Sequence, residues 1–370
     1  MSEAMEITLR TLTPLWTGGV ETGRMERVHE TGILGSLRWW YEVIVRGLGG
    51  DVCDPTSEIS AERCQFDTKA YEKTKSITDG LASVCPVCHL FGCTGWKRRF
   101  ELQATATQMK PFWLATRDRP GKFNHWWLSE IHETQNNNVA VDQMSLNFRW
   151  MRGYEHQNEV MRALLSLISE LGALGAKPQY GFGIFSFADS RPISQSLSLI
   201  QQTLVHPKPG KNLSGEYQSL SDYWRLQCLV PEEDVRQQFG TVNVVGDQRV
   251  FSEFKKVLLP VSFDIRYKLP GSSDKGLRQA YRLHHGKMPT RRLFGTLKGS
   301  ERDKRASSVF VSHLYKESQT EASYQLRVWG FSDSGLVGEI EQSLKDIFPN
   351  ITVSQKTIGA KLLHGMETVI

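Results

Sequence analysis

Apolar and polar positions alternate from the start of the chain. Met5-Glu-Ile-Thr-Leu9 has the period-two pattern of a half-buried strand. Leu34, Leu37, Tyr41, Ile44 and Leu48 then recur at helical spacing and predict an amphipathic helix over 33–48. Alternation returns at Phe100, Leu102, Ala104 and Ala106, and again at Met144, Leu146, Phe148 and Trp150. Val160, Leu164, Leu167, Ile168 and Leu171 form a second helical stripe, which stops at the glycines of LGALGAKPQYGFG. Glycine reaches the left-handed conformation that a helix end favours. A short buried strand is expected over 184–188.

The second half repeats this order. Val257, Leu259, Val261, Phe263, Ile265 and Tyr267 keep strict period two and predict a long strand, with Pro260 marking a sheet edge or bulge. A helical turn is expected over 278–283, and a strand pair over 307–315 and 324–331. Leu336, Val337, Ile340, Leu344 and Ile347 form another helical stripe, and 351–353 a last strand. Each half reads β-α-β-β-α-β, so the fold class expected is α+β: two ferredoxin-like (RRM-like, βαββαβ) domains in tandem. The boundaries expected are 1–190 for the first domain, with a cysteine-containing insertion, and 251–370 for the second. Residues 191–250 read as a connecting segment with some helix over 217–229.

Hydrophobic residues make up 39% and charged residues 23% of the 370, the balance of a folded soluble chain. No apolar run approaches the roughly 20 residues that cross a bilayer. The N-terminus shows no apolar signal-peptide core, so a cytoplasmic location is expected, without membrane partners. In that compartment six cysteines read as thiols or metal ligands before disulfides. The net charge of +5 is unevenly spread: residues 275–305 hold ten Lys/Arg and two acidic residues, a local +8 that leaves −3 for the rest. That asymmetry suggests a polyanionic partner, the plainer alternative being a solvated basic loop.

Residues 85–99, CPVCHLFGCTGWKRR, concentrate the candidate chemistry. Cys85, Cys88 and Cys93 offer three thiolates at turn-compatible spacing, and Cys64 or Cys53 could close a tetrahedron around structural zinc. The alternative is a group of small buried thiols without metal. Leu90-Phe91-Gly92 recurs as Leu293-Phe294-Gly295, each close to a basic cluster: Lys97, Arg98 and Arg99 in the first case, Arg291, Arg292, Lys298, Arg302, Lys304 and Arg305 in the second. Such loops suit a phosphate backbone, with Trp16, Trp96 and Tyr180 as candidates for stacking on unpaired bases. Gly181-Phe-Gly183 follows a helix and precedes a strand, the reverse of a nucleotide-binding fingerprint. Its expected role is to set backbone N–H groups and Lys177 against RNA, or simply to make a tight reversal.

Together RTLTPLWTGG, HETGILGSLRWWYEVIVRGLGG, CPVCHLFGCTGW and LGALGAKPQYGFG resemble the RAMP superfamily, and within it the first RAMP subunit of type III-B CRISPR effector (Cmr) complexes. The resemblance is close over 5–187 and looser over 257–331. It implies two RAMP domains and a non-catalytic RNA-binding subunit that holds crRNA and target RNA near the 3′ end of the guide. Its expected partners are a capping RAMP subunit and the filament subunit. The RNA contacts expected are Trp16, Arg38, Trp96, Lys97, Arg98, Arg99, Lys177, Tyr180, Arg278, Arg291, Arg292, Lys298, Arg302 and Arg305. The metal set expected is Cys64, Cys85, Cys88 and Cys93. An alternative is an endoribonuclease of RAMP fold that processes guide RNA, using His29 (in the 14–32 loop with Glu21, Glu26 and Glu30) or His284 and His285. A third is an adaptor whose basic face meets an acidic protein.

Overall fold

The computed structural model describes residues 4–20, 25–59, 62–111, 138–204, 217–239, 257–259, 261–267, 276–296 and 306–367. The first unit comprises β1 (Ala4–Thr11), α1 (Glu30–Gly47), three short helices α2 (Thr68–Thr74), α3 (Ile77–Gly80) and α4 (Pro86–Phe91), β2 (Phe100–Pro111), β3 (Asn138–Trp150), α5 (Asn158–Leu171) and β4 (Phe185–Ser186). After α6 (Ile193–Thr203) the second unit follows. It comprises β5 (Tyr223–Pro231), α7 (Glu232–Phe239), β6 (Leu258–Leu259), α8 (Ser262–Tyr267), α9 (Leu277–His285), α10 (Lys287–Phe294), β7 (Val309–Val311), β8 (Leu314–Tyr315), β9 (Ser323–Phe331), α11 (Leu336–Ile347) and β10 (Thr352–Ile358). Helix α12 (Gly359–Glu367) closes the described chain. Among the described residues no helix is long and apolar enough to cross a membrane.

The two sheets share one topology. The first has the order β2-β3-β1-β4, and the second runs β10-β5-β9-β8-β6 with β7 also on β9. Matching β1 with β5, β3 with β9 and β4 with β10 superposes the two orders, and every pairing is antiparallel. Each unit is therefore a βαββαβ ferredoxin-like fold. In the first, Met5, Ile7 and Leu9 point to one face of β1 and are buried, because that face meets Ile33, Leu37 and Ile44 of α1 and the apolar stripe of α5.

Two stretches of the second unit differ from the sequence expectation. Its first strand is β5, inside the 191–250 segment read as a connection, where 217–229 had suggested helix. Trp224, Leu226, Cys228 and Val230 line its inner face, while Tyr223, Arg225 and Gln227 turn toward the first unit. The long strand expected over Val257, Leu259, Val261, Phe263, Ile265 and Tyr267 is instead the two-residue β6 followed by helix α8. On α8 the supposedly outward Ser262, Asp264 and Arg266 are buried, whereas the Phe263 and Tyr267 rings meet one helical turn apart, tilted, at 4.2 Å. Pro260 lies outside the described residues. The last strand is longer than expected, reaching Ile358.

The units meet at the C-terminal end of α5. A helix leaves its last four carbonyls without intrahelical donors. Here Arg327 Nη1 donates to Ser169 O at 2.8 Å and to Gly172 O at 3.0 Å, Arg225 Nη1 donates to Glu170 O, and the Tyr223 hydroxyl to Leu171 O. Trp40 Nε1 of α1 takes Ala173 O at 3.0 Å. A Cβ on Gly172 would fall 1.9 Å from Trp40 Cζ2, so this residue must be glycine. Both arginines are buried, with the negative end of the helix dipole facing their charges. Beyond α5 the glycine loop is gripped by the second unit. Ser262 Oγ donates to Tyr180 O at 2.7 Å and Arg266 Nη1 to Gln179 O at 2.9 Å. A Cβ on Gly181 would meet Ser262 and the His313 backbone within 2.8 Å.

Two predictions follow from this junction. Arg327→Met removes donors from buried carbonyls and should cost about 3 kcal/mol, read as a lower urea midpoint with an unchanged m-value. His313 lies fully buried edge-on to Phe182, and desolvation holds its pKa down at about 3. The unfolded chain takes up this proton near pH 6.5 while the native imidazole stays neutral. Stability should therefore fall with pH below 6.5, by up to roughly 1.4 kcal/mol per pH unit. His313→Asn should flatten that slope between pH 6.5 and 5, measured as denaturation midpoints against pH.

Candidate metal centre and nucleic-acid interface

The insertion between α1 and β2 folds around four thiols. Cys85 is the N-cap of α4, with Pro86 fixing the first turn, and Cys88 lies one turn on, so i,i+3 spacing puts both sulfurs on one face. The preceding segment brings Cys53 and Cys64 against them. The four Sγ atoms lie within 4.8 Å of one another, and all four residues are buried. Cys53 Sγ is 3.4 Å from Cys88 Sγ and 3.8 Å from Cys85 Sγ. Tetrahedral zinc with bonds of about 2.3 Å sets its sulfurs about 3.8 Å apart, so the donor set fits that ion. The Cys85 N–H donates to Cys64 Sγ at 3.2 Å. Thiol hydrogen bonds from Cys53, then Cys64 and Cys88, push Cys85 far below its usual range, toward thiolate. A thiolate already favoured within a thiol group is the ionisation a metal needs.

Cys93, expected in the ligand set, stands outside these four, and Cys53 holds the remaining place. Helix α4 ends at Gly92 with φ 89, and Cys93 closes a small hairpin with Trp96 through two 3.0 Å backbone bonds, its thiol touching Cys88 from the edge of the group. The thiol nearest in sequence is thereby displaced by one 32 residues upstream of Cys85.

The repeated Leu-Phe-Gly is the same structural device in both units. Helices α4 and α10 end in it, at Gly92 (φ 89, ψ 160) and Gly295 (φ 76, ψ 168), with both Leu-Phe pairs buried. The Leu90 carbonyl accepts from Arg99 N at 3.1 Å and the Leu293 carbonyl from Ser308 N at 2.9 Å. Tyr41 meets Phe91 at 5.9 Å between ring centroids, and Tyr281 meets Phe294 at 5.9 Å. Arg38 Nη1 donates to Gly92 O at 3.2 Å and Arg278 Nη2 to Gly295 O at 3.4 Å. So Arg38 and Arg278, expected at RNA, clamp equivalent turns. Arg38 also binds Glu42 at 3.0 Å and Cys88 Sγ at 3.2 Å, and Arg278 lies over the Tyr267 ring at 5.3 Å.

The other expected contacts divide by environment. Trp96 is buried rather than open for stacking: Phe66 covers one face at 5.5 Å, nearly parallel, and the Arg99 guanidinium stands 3.5 Å from its ring centre. Arg99 also donates to the Lys97 carbonyl, and Arg98 Nε to Phe100 O at 2.7 Å. Lys97 projects into solvent, loosely paired with Glu101 at 3.7 Å. Lys177 adopts φ 57 and sets its ammonium 4.2 Å from the Trp16 ring and 5.9 Å from that of Tyr180. Trp16 is buried, and Tyr180 half-buried. On α10, Arg292 is exposed and Arg291 half-buried. Lys298, Arg302, Lys304, Arg305 and Glu21 lie outside the described residues. His29 Nε2 contacts Glu26 Oε1 at 2.6 Å at the entrance to α1. The sequence reading missed the buried arginines Arg225, Arg266 and Arg327, since an arginine inside a polar-looking stretch carries no sign of burial.

The family model described as "RAMP superfamily" matches residues 8–186, which span the first unit. No curated protein matches the chain. Among solved structures it is similar to Cmr1 from Pyrococcus furiosus in its apo form, with 11% identity and a TM-score of 0.44, covering 95% of this chain and 98% of that one. It is also similar to a chain of the type III-B Cmr-beta complex bound to cognate target RNA, with 12% identity and a TM-score of 0.40 over 94% of this chain and 100% of that one. A chain of the same kind of complex bound to cognate target RNA and AMPPnP in the presence of ssDNA gives 12% identity and 0.40 over 94% and 99%.

Proposed function

We propose that the chain is a non-catalytic RNA-binding subunit of a type III-B Cmr RNA-guided effector complex, working in the cytoplasm. It holds crRNA and target RNA near the 3′ end of the guide, beside a capping RAMP subunit and the filament subunit. The observation that carries this reading is the RAMP match over 8–186, joined to the same fold written a second time in a chain that concentrates its positive charge at residues 275–305. Base pairing between guide and target carries sequence information in such particles, so the protein's part is to hold phosphates and sugars. Lys97, Lys177, Arg291 and Arg292 are the candidates for those contacts. His29 is already held by Glu26 through its Nε2, which supports a positioning role in the loop.

The competing reading, an endoribonuclease, is favoured by that same close His29–Glu26 pair, the geometry of an oriented base. Labelled precursor RNA incubated with the purified chain, with and without EDTA, separates the two: the subunit reading expects intact RNA in both. A salt series tests RNA binding itself. Replacing Lys97, Arg291 and Arg292 together by alanine should lower the slope of log affinity against log salt by about 2, at about 0.7 per phosphate contact on a single strand.

Zinc on Cys53, Cys64, Cys85 and Cys88 is the second part of the proposal. The ion would tie the segment that carries Cys53 and Cys64 to helix α4, and Arg38 would offset part of the charge of four thiolates. Elemental analysis should find one zinc per chain. Cys53→Ser should lose it and lower the melting temperature, while Cys93→Ser should keep it; the reverse result would return Cys93 to the ligand set.

A further inference from the structure

Helices α9 and α10 meet at Gly286, whose φ of 77 and ψ of −176 let one helix end and the next begin with no further linker. Every residue from 282 to 289 is exposed. This corner is nonetheless firmly seated. Leu277, Tyr281, Thr290, Leu293 and Phe294 are buried beneath it. His285 stacks on Tyr281 at 4.3 Å and reaches Glu339 of α11 at 2.6 Å.

Its surface combines two chemistries. Leu283 is 69% exposed and Met288 60%, both on the tip. Around them stand Arg282, Lys287 and Arg292, and no acidic residue occurs between Lys275 and Ser300 in the sequence. Glu339, the acidic group that touches the corner, is taken by His285. Among the described residues no ion pair engages Arg282, Lys287 or Arg292. Solvated basic helices ordinarily carry polar residues between their cations. Here large apolar side chains stand in water at the tip of a rigid support.

We infer that this corner, residues 282–289, is a binding surface for single-stranded RNA, with Arg282 and Lys287 on phosphates and Leu283 and Met288 against the faces of unpaired bases. The inference rests on the RNA-binding reading and adds Arg282, Leu283, Lys287 and Met288 to the expected contacts. A ligand that is both polyanionic and apolar meets both chemistries, and nucleic acid exposes its apolar base faces only where they are unpaired. A duplex hides them. The support is already ordered, so little freedom is lost on binding.

The test uses the full chain and fluorescence anisotropy with a labelled mixed-sequence RNA, single-stranded and annealed to its complement, over a salt series. Arg282→Ala/Lys287→Ala should weaken binding of both forms and lower the single-strand salt slope by about 1.4. Leu283→Ser/Met288→Ser should weaken single-strand binding by about tenfold, leaving the salt slope and duplex affinity unchanged. All four substitutions are at exposed positions, and unchanged melting temperatures would show that the variants fold. If both double variants bind single strands like the parent, the corner is a surface for something else, such as an acidic protein, and the inference is wrong. Equal weakening for duplex by the apolar variant would overturn the contact with unpaired bases. A parent chain that binds neither RNA would overturn the RNA-binding reading itself.

Discussion

Five consecutive carbonyls, Ser169 to Ala173, lie at and just beyond the C-terminal end of α5, and each finds a side-chain donor from outside that helix. Four of these bonds come from the second sheet, two of its donors being buried arginines. A guanidinium in a protein interior is tolerated only when its charge and its N–H groups are both answered. Here the answer is the negative end of a helix dipole together with carbonyls that need donors. Arg225 also reaches Gln355 and Thr357, and Arg327 reaches Gln227, so the charges are tied into their own sheet as well. The junction thus fixes where the glycine loop leaves α5 and, through it, where Lys177 and Tyr180 stand.

The two units are copies in detail as well as in topology. An arginine one position after a buried leucine, Leu37-Arg38 and Leu277-Arg278, closes the carbonyl of a glycine that ends a later helix. A tyrosine three residues after that arginine packs on the phenylalanine before the glycine. In the first unit the clamp has acquired the cysteine group, and Arg38 gives one further donor to Cys88. In the second unit the corresponding arginine lies over the Tyr267 ring instead. The insertion therefore elaborates a turn that both copies possess, and the metal candidate is local to the first copy.

Much of this was legible in the sequence because one-sided burial leaves a period. Helices α1, α5 and α11 each show a clean apolar stripe, and β1, β2 and β3 alternate because one face of the first sheet meets helices and the other does not. Legibility failed where burial was two-sided or the period arose by accident. Strand β5 carries Arg225 and Gln227 on the face turned toward the other unit, so it looked like a polar helix. The alternation over 257–267 came from a short helix whose polar residues are buried by partners distant in sequence, among them Gln179 and Phe294. At the candidate centre, spacing identified Cys85 and Cys88, which one helical turn relates. It could not rank Cys53 above Cys93, since that choice is made by chain folding over more than thirty residues. Trp96 looked available because its neighbours in sequence are polar, yet Phe66 covers it from across the insertion.

Lys177 stands in the left-handed region at φ 57, flanked by glycines at 175, 181 and 183 that adopt positive φ without penalty. A side chain in that conformation costs of order 1 kcal/mol that glycine would not incur. The backbone at this position would be more relaxed with no side chain at all. What the lysine provides in return is an ammonium held over the Trp16 indole, at the mouth of a loop both units clamp in place. Local ease of folding and the placement of that cation pull in opposite directions at a single residue, and the chain has settled in favour of the charge.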